Sequence, residues 1–241
     1  MRAELLKVRS LPTPLWCLVA VLACGLLGVA ATWQWGLGSD LLAVELAMGF
    51  PIAIASIVFG VWIFGVEYGQ NTLRRTLSAD PRRSRLFCSK LVVALSVVAI
   101  ATVLIHLAFF PFYDIAAGRH DQTVPVGEYR DLALAALFSN LAYTTVGASL
   151  ALITASMAGG VTVALVFVFI FDVVFGAIPE VGDFSFGFAL ADVVVGIRGT
   201  ESGFGDFDSG HGTAQAAAIL AAWLLGLAGL GWLRLWRSDV K

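Results

Sequence analysis

Charge is scarce in this chain. Asp, Glu, Lys and Arg make up 13% of its 241 residues, about half of what soluble domains carry, which excludes an ordinary water-facing globule. Lysine occurs only at Lys7, Lys90 and Lys241, preceded by Leu, Ser and Val. No Gly-Lys phosphate-binding loop is therefore encoded. Histidine is equally sparse: His106, His120 and His211 show no metal-ligand spacing. No Gly-x-Ser-x-Gly occurs either. Neither a metal centre nor a catalytic residue is expected, and the chain does not read as an enzyme. Of the three cysteines, Cys17 and Cys24 lie in the first apolar run and Cys88 at the edge of the third, so no disulfide is expected. The net charge of −2 says little, because the charges are segregated rather than mixed, and no nucleic-acid partner is expected.

What the chain has instead is apolar length. Hydrophobic residues reach 59% and gather in runs long enough to cross a bilayer as helices. The expected fold is an all-α integral membrane protein, one transmembrane domain over 1–241, with spans at about 15–32, 42–66, 86–113, 132–155, 161–178 and 213–232. Residues 1–14, with Arg2, Glu4, Lys7 and Arg9 among leucines and valine, suit a helix lying in the membrane interface. Pro12 and Pro14 end it. A signal peptide is the rival, but the first run is longer than a signal core and lacks a clear cleavage site, so an uncleaved anchor is expected. Val-Leu-Ala-Cys24 resembles a lipoprotein site only weakly. Pro51 is expected to kink the second span. A tight turn at Ser156 to Gly160 joins spans four and five, and an acidic, Gly-rich segment runs from Pro179 to Gly212. Small residues recur every four positions at Gly147, Ala151 and Ala155, and at Ala214, Ala218, Ala222 and Gly226. Such stripes let helix backbones approach closely, though alanine and glycine are frequent throughout this chain.

The basic charge is concentrated in one place. Between spans two and three, Glu67 to Lys90 holds Arg74, Arg75, Arg82, Arg83, Arg85 and Lys90, six of the fifteen Lys and Arg residues. Lys and Arg near span ends mark the cytoplasmic side. With six spans and both termini inside, cytoplasmic segments hold twelve Lys and Arg, and exported segments hold three: Arg119, Arg130 and Arg198. Asp80 before Pro81 fits a helix N-cap with proline at the first helical position. Thr72 to Leu77 has room for one or two helical turns along the membrane surface.

The order of these parts, with Glu-Tyr-Gly-x-x-Thr-Leu-Arg-Arg-x-Leu at Glu67 to Leu77 followed by Pro-Arg-Arg-x-Arg at Pro81 to Arg85 and then Lys90, resembles the permease subunit of a type-2 ATP-binding-cassette (ABC) exporter. The likeness in layout covers nearly the whole chain and is sharpest at Glu67 to Lys90. It implies that Thr72 to Leu77 (Thr72, Leu73, Arg74, Arg75 and Leu77 among them) is a coupling helix seated in a groove of a cytoplasmic ATPase. Glu67 and Tyr68 would stand at its membrane edge, and Arg74, Arg75, Arg82 and Arg83 would contact acidic residues of that partner. A basic amphipathic rod can transmit a push, and charge pairing would fix its register. The rival is that these arginines only enforce topology and bind anionic lipid. The resemblance further implies two ATPase subunits carrying ATP and Mg, a second copy or homologous permease subunit, and residence in the plasma (inner) membrane of a bacterium. No cofactor is expected on this chain. The apolar segment Phe184 to Ile197 is too short to span and would be an outer gate, with Phe184, Phe186, Phe188 and Leu190. A pathway is expected along Gly49, Ala53, Phe59, His106, Phe109, Phe167 and Asp172. Family members often carry a basic residue in the connection between spans four and five; Ser156 to Gly160 has none. The substrate expected is a drug, antibiotic, peptide or lipid-like molecule.

Two other constellations compete. Tyr113-Asp114 and Gly203-Phe204-Gly205-Asp206 imitate the paired motifs of intramembrane aspartyl proteases, but the second lies in a polar loop and lacks a following Pro-Ala-Leu. His106, Asp172 and Glu45 are polar groups inside apolar runs, which are expensive in hydrocarbon and suggest function. They would relay protons in a secondary transporter. No inverted repeat or matched pair of broken helices accompanies them. The bland alternative is that Asp172 and His106 satisfy each other or nearby backbone.

Overall fold

The computed structural model describes residues 12–37, 41, 44–70, 72, 78, 82–178, 181–199 and 212–237. Residues 1–11, which hold most of the expected interfacial helix, most of the stretch 73–81 and the Gly-rich segment 200–211 lie outside the described residues. Among the described residues every regular element is a helix. The α-helices are α1 (Pro12–Trp35), α2 (Phe50–Gly69), α3 (Arg83–Gly118), α4 (Val126–Thr154), α5 (Met157–Val166), α6 (Asp172–Gly176), α7 (Phe186–Arg198) and α8 (Thr213–Arg237). Six helical stretches are long and apolar enough to cross a membrane: Leu15–Trp35, Ala47–Gly69, Arg83–Gly118, Val126–Thr154, Met157–Gly176 and Thr213–Arg237. This is the architecture of a multi-pass all-α membrane protein.

Two of the six helices are interrupted by π-helical turns. Glu45–Gly49 precedes α2, and Phe167–Phe171 joins α5 to α6. The first accounts for Pro51. A proline has no N–H to give to the carbonyl four residues back, and its ring crowds that carbonyl. Here residue 47 lies in the π turn and Pro51 opens the α-helix that follows. The irregularity at proline is thus a change of helix type just before it. Helix α3 carries Pro111 in its interior.

Helices α2 and α4 form the centre. In their most apolar windows, 61% and 56% of residues are buried, against 22% for α1 and 17% for α8. They also share the most extensive helix contact. Glycine makes the crossing close: a Cβ at Gly60 would overlap the Thr144 carbonyl oxygen, and one at Gly147 the Ile57 carbonyl oxygen. The Gly147 and Ala151 stripe is therefore a packing face, and Ala151 is fully buried. The stripe in α8 is not. Ala214, Ala218, Ala222 and Gly226 are exposed, and α8 instead buries Ala216, Leu220, Gly231 and Leu235.

The turn from α4 to α5 is made by Ala155 in the left-handed region (φ 50°). Ser156 then caps α5, its hydroxyl accepting from the Gly159 N–H at 3.2 Å. At the same end of the bundle, α2 and α3 meet around the stretch 70–82. At the other end, the Leu37 N–H donates to Gln122 Oε1 at 2.9 Å and Arg119 lies 5.1 Å over the Trp33 ring. The large side chains left outside, such as Trp16, Leu27, Leu107, Ile115 and Leu225, are what a lipid-facing surface presents.

Candidate functional site

Between α2, α3, α4, α6 and α7, at the end of the bundle away from 70–82, lies a cavity of about 610 Å³. That volume is in the range of pockets that take drug-sized ligands. Both π turns border it: Met48 and Gly49 from one, Phe169 from the other. Phe50 and Phe169, both lining it, pack on each other with ring centroids 5.3 Å apart. π-helical turns are rare and concentrate at functional sites, and here two face one space.

The lining is mostly apolar, with a few polar groups. Helix α3 supplies His106, α4 supplies Ser139, Asn140 and Tyr143, α6 supplies Asp172, and α7 supplies Arg198. Asn140 Nδ2 donates to Thr102 Oγ1 at 3.3 Å. His106 Nδ1 bonds the Thr102 carbonyl at 2.8 Å. A carbonyl only accepts, so Nδ1 carries the hydrogen and Nε2 is the acceptor of the neutral ring. The Tyr129 hydroxyl donates to the His106 carbonyl at 2.9 Å, which fixes this turn of α3 against α4.

Asp172 is the most informative of these residues. Its Oδ1 accepts the Gly187 N–H at 2.9 Å, and the Ser185 hydroxyl accepts the Phe188 N–H at 3.1 Å. Two side chains therefore cap the first turn of α7, one from its own N-cap and one from α6. The helix N-terminus offers orphan N–H groups and a positive dipole end, so a carboxylate suits that place. Gly187 is required by the contact, because a Cβ there would overlap Asp172 Oδ2.

Of the expected pathway residues, Gly49, Ala53, His106 and Asp172 line this cavity. Phe59, Phe109 and Phe167 do not. Phe59 stacks on Trp62 in the central core at 5.6 Å, Phe109 packs against Gly25 of α1, and Phe167 stacks on Phe171 and meets Trp223 edge-on. The reason is helix rotation: each points to a neighbouring helix rather than to the gap. Of the expected gate residues, Phe188 and Leu190 line the cavity and Phe186 is core. Phe184 is half exposed, its carbonyl accepting from Trp223 Nε1 at 2.9 Å. Asn140, Tyr143 and Arg198 were not singled out in sequence. Asn140 and Tyr143 sit among many polar residues of α4, and only Arg198 was visible as the lone basic residue of its segment.

At the opposite end, Glu67 and Lys90 form a buried ion pair. Lys90 Nζ stands 3.0 Å from Glu67 Oε1, donates to the Ile63 carbonyl at 2.9 Å, and lies over the Phe64 ring at 5.7 Å. Their side chains are 1% and 2% exposed. Glu67 therefore faces the bundle interior, joining the end of α2 to the start of α3. Thr72 follows closely, its N–H donating to the Glu67 carbonyl at 3.0 Å. Tyr68 is partly buried against the central core. Arg83 turns to α8, donating to the Leu235 and Trp236 carbonyls at 2.8 and 2.5 Å, where cations complement a helix C-terminus. Arg82 is exposed. Leu73, Arg74, Arg75 and Leu77, with Asp80 and Pro81, lie outside the described residues; the helix is described from Arg83. Among the described residues no cluster of His, Cys, Asp or Glu has the makings of a metal site.

No protein-family model matches the chain, and no curated protein or solved structure matches it.

Proposed function

We propose that the chain is the membrane-spanning permease subunit of an ATP-driven exporter of the type-2 ABC class. Both termini and the 67–85 loop would face the cytoplasm of a bacterial cell, in the plasma membrane. Two cytoplasmic ATPase subunits would supply ATP and Mg, and a second permease subunit, identical or homologous, would complete the pathway. The observation that carries this reading is how the loop is mounted. The buried Glu67–Lys90 pair ties its two ends together, and Arg83 ties one of them to α8. A push on Thr72 to Leu77 would therefore reach α2, α3 and α8 together, tilting helices that border the distant cavity. Three exported against twelve cytoplasmic Lys and Arg residues support the orientation. The substrate would be an amphipathic drug, antibiotic, peptide or lipid-like molecule.

The test is purification of the tagged protein from native membranes in mild detergent, with ATP hydrolysis assayed on the eluate. A co-purifying soluble subunit with ATPase activity is expected, and Arg74→Glu with Arg75→Glu should lose both activity and transport while still inserting. An inactive single species would sink the reading. It would favour a second one, a proton-coupled secondary transporter, whose supporting observation is that Asp172 and His106 line one cavity. Proton-dependent flux abolished by Asp172→Asn would then be the outcome.

A further inference from the structure

We infer that the cavity takes a bulky, monovalent organic cation, held by charge and aromatic contact rather than by directed hydrogen bonds. This deepens the exporter reading and rests on the cavity being its pathway. The argument starts from the inventory of charge. Among the described lining residues Asp172 is the single carboxyl group, and Arg198 the single guanidinium. They are far apart. Asp172 meets the first turn of α7 at Gly187, whereas Arg198 is in its last turn. At about 1.5 Å rise per residue this puts roughly 16 Å between the two ends. With its carboxyl ionised, Asp172 sets a negative field in its half of the cavity.

The rest of the wall suits an apolar cation. Phe50, Tyr143, Phe169 and Phe188 bring four aromatic rings to the space, and ring faces attract a cation most strongly where water is excluded. Asp172 Oδ1 already accepts the Gly187 N–H. That bond orients the carboxylate, and the partial positive charge of the helix end offsets only part of its full negative charge. A small hydrated cation would lose its water shell against aliphatic and aromatic walls with little return. A cation whose charge is spread beneath hydrocarbon loses little. The same wall disfavours anions through the Asp172 carboxylate.

The test uses two probes of one shape. Tetraphenylphosphonium and tetraphenylborate carry four phenyl rings around opposite charges. Binding is measured by equilibrium dialysis on the full chain in lipid nanodiscs. Saturable binding of the phosphonium with no binding of the borate is expected. Asp172→Asn keeps an oxygen for the Gly187 N–H and removes the charge, so it should weaken phosphonium binding by about tenfold, the scale of one desolvated charge contact. Ser139→Lys sets an ammonium among the lining residues and should weaken it at least as much, which preserves the test if Asp172→Asn does not fold. Equal binding of both probes, binding of neither, or unchanged phosphonium affinity in either folded variant would overturn the inference. The exporter reading fails separately. Cation binding by a chain that recruits no ATPase removes the exporter and keeps the site. ATPase recruitment without cation binding does the reverse.

Discussion

A single lysine shows how much one contact decides. In the sequence, Lys90 counts as one of six cations that fix the inner side of the membrane. In the fold it is fully buried, with Glu67, the Ile63 carbonyl and the Phe64 ring around it. A buried pair is held by mutual dependence: removing one partner strands the other charge in low dielectric, whereas replacing both is often tolerated. Lys90→Met should therefore destabilise the protein by about 3–5 kcal/mol, and Glu67→Met added to it should recover most of the loss. Melting in detergent, followed by size-exclusion profiles at rising temperature, checks both. A double variant no more stable than Lys90→Met would mean that the two residues are not acting as a pair. Composition placed both charges at the membrane edge. It had no means of showing that they turn inward to each other, because that depends on how the stretch between them reverses the chain. Asp172 was legible in the same partial way: its cost in an apolar run marked it, and the bland alternative of backbone satisfaction is met by the Gly187 N–H, while the cavity it lines keeps the functional alternative in play.

At the scale of helices, hydropathy found the six membrane-length elements, because about twenty apolar residues in a row have few other uses. It also found the break between spans four and five, although the turn is made by Ala155 and Ser156 and the expected turn residues Met157 to Gly160 already belong to α5, and it found the short apolar segment that forms α7. What it missed was rotation and register. The π turns at Glu45–Gly49 and Phe167–Phe171 each slip the helix by a fraction of a turn, and only Pro51 hinted at one. Rotation also decides between two stripes of similar composition. A methyl group added at Gly147 or Gly60 would meet a backbone carbonyl of the facing helix, and backbone cannot swing aside as a side chain can. Gly147→Ala and Gly60→Ala should each cost about 1–3 kcal/mol, read as a lower melting temperature. A Cβ at Gly226 meets nothing within 4 Å, so Gly226→Ala should leave melting unchanged or raise it slightly through helix propensity. If Gly226→Ala proved as costly as Gly147→Ala, the exposed stripe of α8 would be a contact face in the assembled protein.

For the molecule as a whole, the central quantity is the sidedness of charge. The cavity and the Glu67–Lys90 pair lie at opposite ends of one bundle, so the direction of any transport depends on which end meets the cytoplasm. Lys and Arg decide this during insertion because they resist translocation, and Arg83 and Arg85 sit at the start of α3 while Arg119 and Arg130 flank the far connection. The chain is well suited to a direct test. Its three cysteines are unpaired, so each can be replaced by serine and single cysteines introduced at chosen ends. Ser84→Cys lies at the exposed start of α3, and Gly127→Cys projects into open space in the first turn of α4. A membrane-impermeant maleimide added to intact cells should label Cys introduced at 127 and leave the one at 84 untouched, with the order reversed in inside-out vesicles. The opposite pattern would turn the bundle over, put the cavity on the cytoplasmic side, and leave no cytoplasmic loop at 67–85 for an ATPase to drive. Labelling of both positions from one side would break the alternation of six spans itself, since α3 separates the two residues by a single crossing.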